Sequence, residues 1–187
     1  MSTPNTSFKI AAVQAAPVFL DREVTVDKAC ELIAEAGRND ARLVAFPESF
    51  IPAYPDWVWA VPAGEEGMLN ELYAQLLANA VEIPSTATLR LRSGQAQRLC
   101  QAAKDAGTYV VIGVTERNVE ASGASLYNTL LYIDVQGNIL GKHRKLVPTG
   151  GERLVWARGD GSTLDVFQLT VNREPRRMIR TEGVMDS

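Results

Sequence analysis

Three ionisable side chains stand where acid–base chemistry could be done. Glu48 follows Phe46-Pro47 directly after the apolar run RLVAF at 42–46, Lys145 lies at the end of GKHRKL at 141–146, and Glu152 follows PTGG at 148–151. A carboxylate just beyond a strand end sits where open α/β sheets collect ligands, and it can take a proton from a nucleophile. A lysine ammonium shielded from water can stabilise negative charge developing on nitrogen or oxygen. Singly, each has an ordinary reading: Glu48 as a helix cap or solvated charge, Lys145 as an edge-strand charge in a KHRK run. Tyr54 and Trp57, on the loop after Glu48, are candidates to line a substrate pocket, and packing under a long loop accounts for them equally well.

A nucleophile is harder to find. The two cysteines, Cys30 and Cys100, lie on the apolar stripes of helical segments, with Val26 and Ile33 in one case and Leu99 and Ala103 in the other. A free cysteine in that setting behaves as a small hydrophobe. Only Arg98, beside Cys100, offers a cation that could lower a thiol pKa. No disulfide is demanded, and reduced thiols fit an intracellular chain. One histidine and two distant cysteines cannot build a structural zinc site, so no metal is expected, and nothing calls for a cofactor.

The elements that must position these residues are legible from hydrophobic periodicity. Residues 8–14 (FKIAAVQ) read as a buried strand, 21–38 as a helix stopped by Gly37, and 42–46 as a second strand ended by Pro47. That order suits a right-handed parallel crossover. Residues 46–62 (FPESFIPAYPDWVWAVP) fit neither period and read as an ordered aromatic loop. A helix is predicted over 65–81, a polar stretch without period over 84–97, a helix over 98–106 and a β-branched strand over 109–115. Two strands at 126–134 and 139–146 flank the hairpin signal VQGN, and 162–169 is a further strand candidate.

The chain has 187 residues, 46% of them apolar, which suits one domain able to bury roughly 70% of its unfolded surface. Lys and Arg total 19 against 22 Asp and Glu, a balance that argues against nucleic acid. No run of 18 apolar residues predicts a membrane span, and the polar start MSTPNTSFKI lacks a signal-type apolar stretch. A cytoplasmic protein is expected. Residues 1–7 read as a disordered N-terminus, 8–169 as the domain and 170–187 as a divergent, disordered tail, because 172–183 (NREPRRMIRTEG) is half charged.

Taken in order, FKIAAVQAAP, LVAFPESFIPAYP, VVIGVTERN, YNTLLYID, GNILGKHRKLVPTGGER and GDGSTL resemble the nitrilase family of carbon–nitrogen hydrolases over residues 8 to 167. The stretches PAYPDWVWAVP and KLVPTGGER look more like nitrilases than like the amidase or carbamoylase branches. The resemblance implies an α/β fold, a two-sheet α-β-β-α sandwich here incomplete at the C-terminus, associating through its helical faces into homo-oligomers. It also implies a Glu-Lys-Cys triad acting on a small-molecule nitrile. In it Glu48 is the general base, Lys145 stabilises charge on the tetrahedral intermediate and Glu152 positions Lys145. The segment in which the family carries Cys followed by Trp and Glu has no counterpart here, so the chain is expected to be inactive alone. An amidase or carbamoylase of the same superfamily, or a non-catalytic subunit binding an intact homologue, are the alternatives.

Overall fold

The computed structural model describes residues 7–62, 64–83, 94–119 and 123–170. The first helix, α1 (Arg22–Arg38), separates two short parallel strands, β1 (Lys9–Ala12) and β2 (Ala41–Ala45). Asp21 caps α1 by accepting from the Val24 N–H at 3.0 Å, which satisfies one of the orphan donors of the first turn. After β2 the chain forms a short helix α2 (Trp57–Ala60), a longer α3 (Glu66–Asn79) and a two-residue strand β3 (Val81–Glu82). Helix α4 (Gly94–Ala106) then leads into the antiparallel meander β4 (Tyr109–Arg117), β5 (Leu126–Ile133) and β6 (Ile139–Arg144). Two 3-10 turns follow, Gly150–Leu154 and Gly161–Thr163.

All six strands join one sheet, ordered β1-β2-β4-β5-β6, with β3 beside the far end of β4. On one side of β4, β2 pairs with residues 109–111, Ile51 bridges to Val114, and β3 pairs with Glu116 and Arg117. Helices α1 and α4 cover one face of this sheet. Val26, Ala29, Ile33 and Ala36 of α1 and Leu99, Ala103 and Ala106 of α4 close over Val44, Val110, Ile112, Val114, Leu131 and Ile133. The 3.6-residue spacing on the helices and the two-residue spacing on the strands produce this stripe-on-face match. Each fully buried Val, Leu or Ile contributes about 1.5–3 kcal/mol relative to exposure. A smaller cluster gathers Leu20, Trp57, Leu76, Ala80, Leu126, Val155 and Trp156.

The helix-covered face ends in a buried ion cluster. Glu116, only 1% exposed, accepts from Lys142 Nζ at 2.6 Å, Arg144 Nη2 at 2.5 Å and Thr129 Oγ1 at 2.8 Å, and the Arg144 guanidinium lies 4.0 Å over the Tyr127 ring. Burial raises the Glu116 pKa, but the hydrogen bonds and charges of Arg144 and Lys142 outweigh it and hold the carboxyl below its usual range. The cluster pins β6 to β4 and β5, and its alternation sends His143 and Lys145 to the opposite face.

The fold is the α/β class expected, and the described residues form one layer of strands with α1 and α4 on one side of it. Several local expectations change. The aromatic loop contains α2, whose four residues are too few to show a period. Residues 162–169 are not a strand: Asp160 caps a 3-10 turn by accepting from Ser162 N, and the irregular chain beyond lays Phe167 against Tyr132, ring centroids 5.1 Å apart. Helix α4 also starts at Gly94, inside the stretch read as polar and aperiodic, while residues 84–93 lie outside the described residues. The expected disordered start (residues 1–6 of it) and tail (171–187 of it) lie outside them too. Among the described residues no helix is long and apolar enough to cross a membrane.

Candidate active site

Glu48 is placed by a loop held tightly against the uncovered face of the sheet. Its neighbour Ser49 adopts the left-handed region (φ 48°), and the Ser49 hydroxyl is fixed between Thr115 Oγ1 at 2.9 Å and the Ala53 carbonyl at 3.1 Å. Such a conformation in a non-glycine residue persists only where its surroundings over-determine it. The loop backbone presses on Gly113 of β4: a Cβ there would meet Pro47 O at 2.3 Å, Ser49 N at 2.5 Å and Glu48 C at 2.8 Å.

Lys145 follows β6 and stays in register with β5, its N–H donating to the Asn128 carbonyl at 2.8 Å. Glu152 sits in the 3-10 turn after Thr149, where a reciprocal capping box fixes it: the Thr149 N–H donates to Glu152 Oε2 at 2.6 Å while the Thr149 side chain takes the backbone N–H of Glu152.

These local devices bring the three charges together, although Glu48 lies 97 residues before Lys145 in sequence. Lys145 Nζ donates to Glu48 Oε1 at 2.8 Å and to Glu152 Oε2 at 2.9 Å and Oε1 at 3.1 Å. Asn128 Nδ2 donates to the same Glu48 Oε1 at 2.7 Å, and the Tyr54 hydroxyl donates to Glu152 Oε1 at 2.7 Å. Glu48 Oε2 accepts from no described residue. The side chains are graded in exposure, Glu48 at 48%, Lys145 at 29% and Glu152 at 4%.

The electrostatics follow the contacts. Desolvation lowers the Lys145 pKa, but hydrogen bonds and charges from Glu48 and Glu152 outweigh it and raise the ammonium above its ordinary value. Burial raises the Glu152 pKa, but the Thr149 N–H, the Lys145 ammonium and the Tyr54 hydroxyl outweigh it and hold the carboxyl below its ordinary range. Burial, and donation to Glu152, push the Tyr54 phenol up, so it remains a donor. The site thus holds a fixed cation between two carboxylates, one of them with an oxygen that accepts from no described residue.

A cavity of about 260 Å³ opens beside them, lined by Glu48, Asn128, Leu130, His143, Lys145 and Leu146. Tyr54 is tied to Glu152 and packs edge-on to Trp156, ring centroids 5.5 Å apart. Trp57 is buried with Leu20, Leu76 and Trp156, away from the residues that line the cavity. Both cysteines are free and pack with α1 and α4 on the other face of the sheet. Burial pushes the Cys30 thiol up, and burial with the Asp134 charge pushes Cys100 up to about 11. No group of three His, Cys, Asp or Glu among the described residues could hold a metal.

Two functional neighbours escaped the sequence. Asn128 carried a usable signal, since an asparagine inside the apolar strand LYNTLLYI runs against strand propensity. Thr149 carried another, because T-x-x-E at 149–152 spells a capping box.

The sequence model of the family described as carbon–nitrogen hydrolase matches residues 9–178. The chain belongs to that family. Among curated relatives, it is 44% identical over 161 residues to a nitrilase of Bacillus sp. (strain OxB-1), covering 86% of this chain and 43% of that protein. It is 42% identical over 167 residues to an aliphatic nitrilase of Rhodococcus rhodochrous, covering 89% of this chain and 42% of that protein. The chain therefore spans less than half the length of these relatives. Its fold is shared with Saccharomyces cerevisiae Nit3, a member of branch 10 of the nitrilase superfamily, at a TM-score of 0.60 and 22% identity over 83% of this chain and 50% of that one. It is also shared with a double mutant of the Nesterenkonia sp. AN1 amidase in complex with acrylamide, at a TM-score of 0.58 and 20% identity over 86% of this chain and 52% of that one.

Proposed function

We propose that this chain carries the acid–base part of a site that hydrolyses nitriles to carboxylic acid and ammonia, with a cysteine thiol from outside this chain as nucleophile. The observation that carries the proposal is the Lys145 ammonium held between Glu48 and Glu152 at 2.8 and 2.9 Å at the wall of a cavity. Glu48 is the general base: its Oε1 is occupied by Lys145 and Asn128, so its free Oε2 takes the thiol proton. The sulfur then bonds to the nitrile carbon, one C–N π bond breaks, and the electron pair moves to nitrogen, which recovers the proton from Glu48. Lys145 stabilises the charge that passes through nitrogen as a first water adds and ammonia leaves, and through oxygen as a second water attacks the resulting thioester, breaking its C–S bond, releasing the carboxylic acid and returning a proton to sulfur. Glu152 keeps Lys145 charged and aimed. Two relatives at 42–44% identity that are nitrilases support the substrate class. The Nesterenkonia amidase, in which acrylamide adds to an active-site cysteine, supports the sulfur nucleophile.

The test is a chimera in which residues 8–170 replace the matching part of the Bacillus sp. nitrilase. It is expected to hydrolyse nitriles, and Glu48→Gln, Lys145→Met and Glu152→Gln are each expected to lower kcat by about 10²–10⁴-fold. A folded, active chimera indifferent to all three substitutions would remove these roles. Faster turnover of amides than of the matching nitriles would move the substrate class to the amidase branch.

A further inference from the structure

His143 is the sequence's one histidine, and the proposed chemistry leaves it unused. It faces Leu130 across the β5–β6 ladder, two residues before Lys145, and lines the cavity with Glu48 and Lys145. Its Nδ1 lies 3.3 Å from Thr163 Oγ1. That hydroxyl also accepts from the Arg144 N–H at 3.4 Å, and it has one proton that can be given to Nδ1. With the Thr163 proton so directed, Nδ1 is the acceptor and Nε2 carries the ring hydrogen. His143 lines the cavity and Thr163 does not. No described residue accepts from Nε2.

We propose that His143 is a specificity-determining residue: its Nε2–H donates to an acceptor two or three bonds beyond the nitrile carbon, so the cavity selects alkoxy- or carbonyl-bearing aliphatic nitriles over their hydrocarbon isosteres. His143 and Lys145 line the same cavity two residues apart, and same-face positions along a strand are about 6.8 Å apart. In the proposal, a nitrile whose nitrogen meets Lys145 brings the acceptor to His143. Leu130 and Leu146 give the remaining wall an apolar character suited to a short aliphatic chain. A donor left unpaired by a hydrocarbon substrate is what sets the preference. The inference rests on the proposed nitrile site.

The full chain, labelled with ¹⁵N, tests it, because a single imidazole gives one assignable pair of ring-nitrogen signals. The Nε2–H tautomer is expected. Titration with 3-methoxypropionitrile should shift the Nε2 signal and bind about fivefold more tightly than its isostere pentanenitrile. His143→Phe should erase that preference and His143→Gln, which keeps a donor, should retain most of it. The amide spectrum checks that each variant folds, and the wild-type tautomer decides the matter if the Phe variant does not. An Nδ1–H tautomer, or two nitriles that perturb Lys145 equally and leave Nε2 unmoved, overturns the inference and leaves the nitrile site standing. Failure of both nitriles to perturb either residue overturns both.

Discussion

Purified free of host enzymes, the 187-residue chain is expected to release ammonia from nitriles no faster than buffer alone. The expectation follows from where its two sulfurs lie. Cys30 and Cys100 are held in α1 and α4 against the core, on the opposite face of the sheet from Glu48 and Lys145. With the Cys100 thiol pushed up to about 11, roughly one molecule in ten thousand carries that thiolate at neutral pH. The residues of a nucleophilic site act as a unit, so loss of the nucleophile alone costs about a millionfold. Ammonia release should be followed with and without Glu48→Gln as control. Turnover that elutes with the chain and disappears in the Glu48 variant would contradict the expectation and require a nucleophile other than sulfur.

Gly113→Ala is expected to destabilise the chain by about 3 kcal/mol and to part Glu48 from Lys145. The added Cβ would sit at 2.3–2.8 Å from backbone atoms of Pro47, Glu48 and Ser49, none of which can swing aside as a side-chain tip could. The loop must therefore lift, and its anchors at Ser49, Thr115 and Ala53 resist the movement. For a chain of this size the loss lowers Tm by roughly 6–12 °C. Calorimetry measures the loss, and the Lys145 amine signal reports the separation. An alanine variant with unchanged Tm and an unchanged Lys145 signal would show that the loop does not depend on this close approach.

How much of this was legible in the sequence depends on the range of the interactions involved. β2, β4, β5, α1 and α3 follow local periodicity, because one face of each packs into a core, whereas the edge strands β1 and β6, which hold no buried residue, were legible as an apolar run and as the second arm of a hairpin. Helix α2 and strand β3 are four and two residues long, too short for any period, and exist because Trp57 and Val81 have tertiary partners. The start of α4 was hidden because Gly94-Gln95-Ala96 carries a single buried residue, Ala96. The meeting of Glu48 with Lys145 is a contact 97 residues apart, which no local pattern encodes, and the family resemblance brought it into view. Asn128 went unread because it serves Glu48 from the neighbouring strand, although its polarity inside an apolar strand marked it. Tyr54 was a candidate to line a substrate pocket, with packing under the loop an equal reading, and its hydroxyl donates to Glu152, a long-range contact that no local pattern shows.

The most direct measurement of the central claim is the titration of the Lys145 ammonium by ¹⁵N-edited NMR in the intact chain, with Glu48→Gln and Glu152→Gln alongside. Both carboxylates favour the charged amine, so its pKa should lie above the ordinary 10.5 and fall in each variant. The stabilising contribution of Lys145 is then complete below about 10.5 and lost as pH rises through the higher folded value. That of Glu152, whose pKa is depressed, is present above 4.5 and lost as pH falls through the lower folded value. A Lys145 that titrates at its ordinary value and responds to neither substitution would mean that the three residues do not share one site.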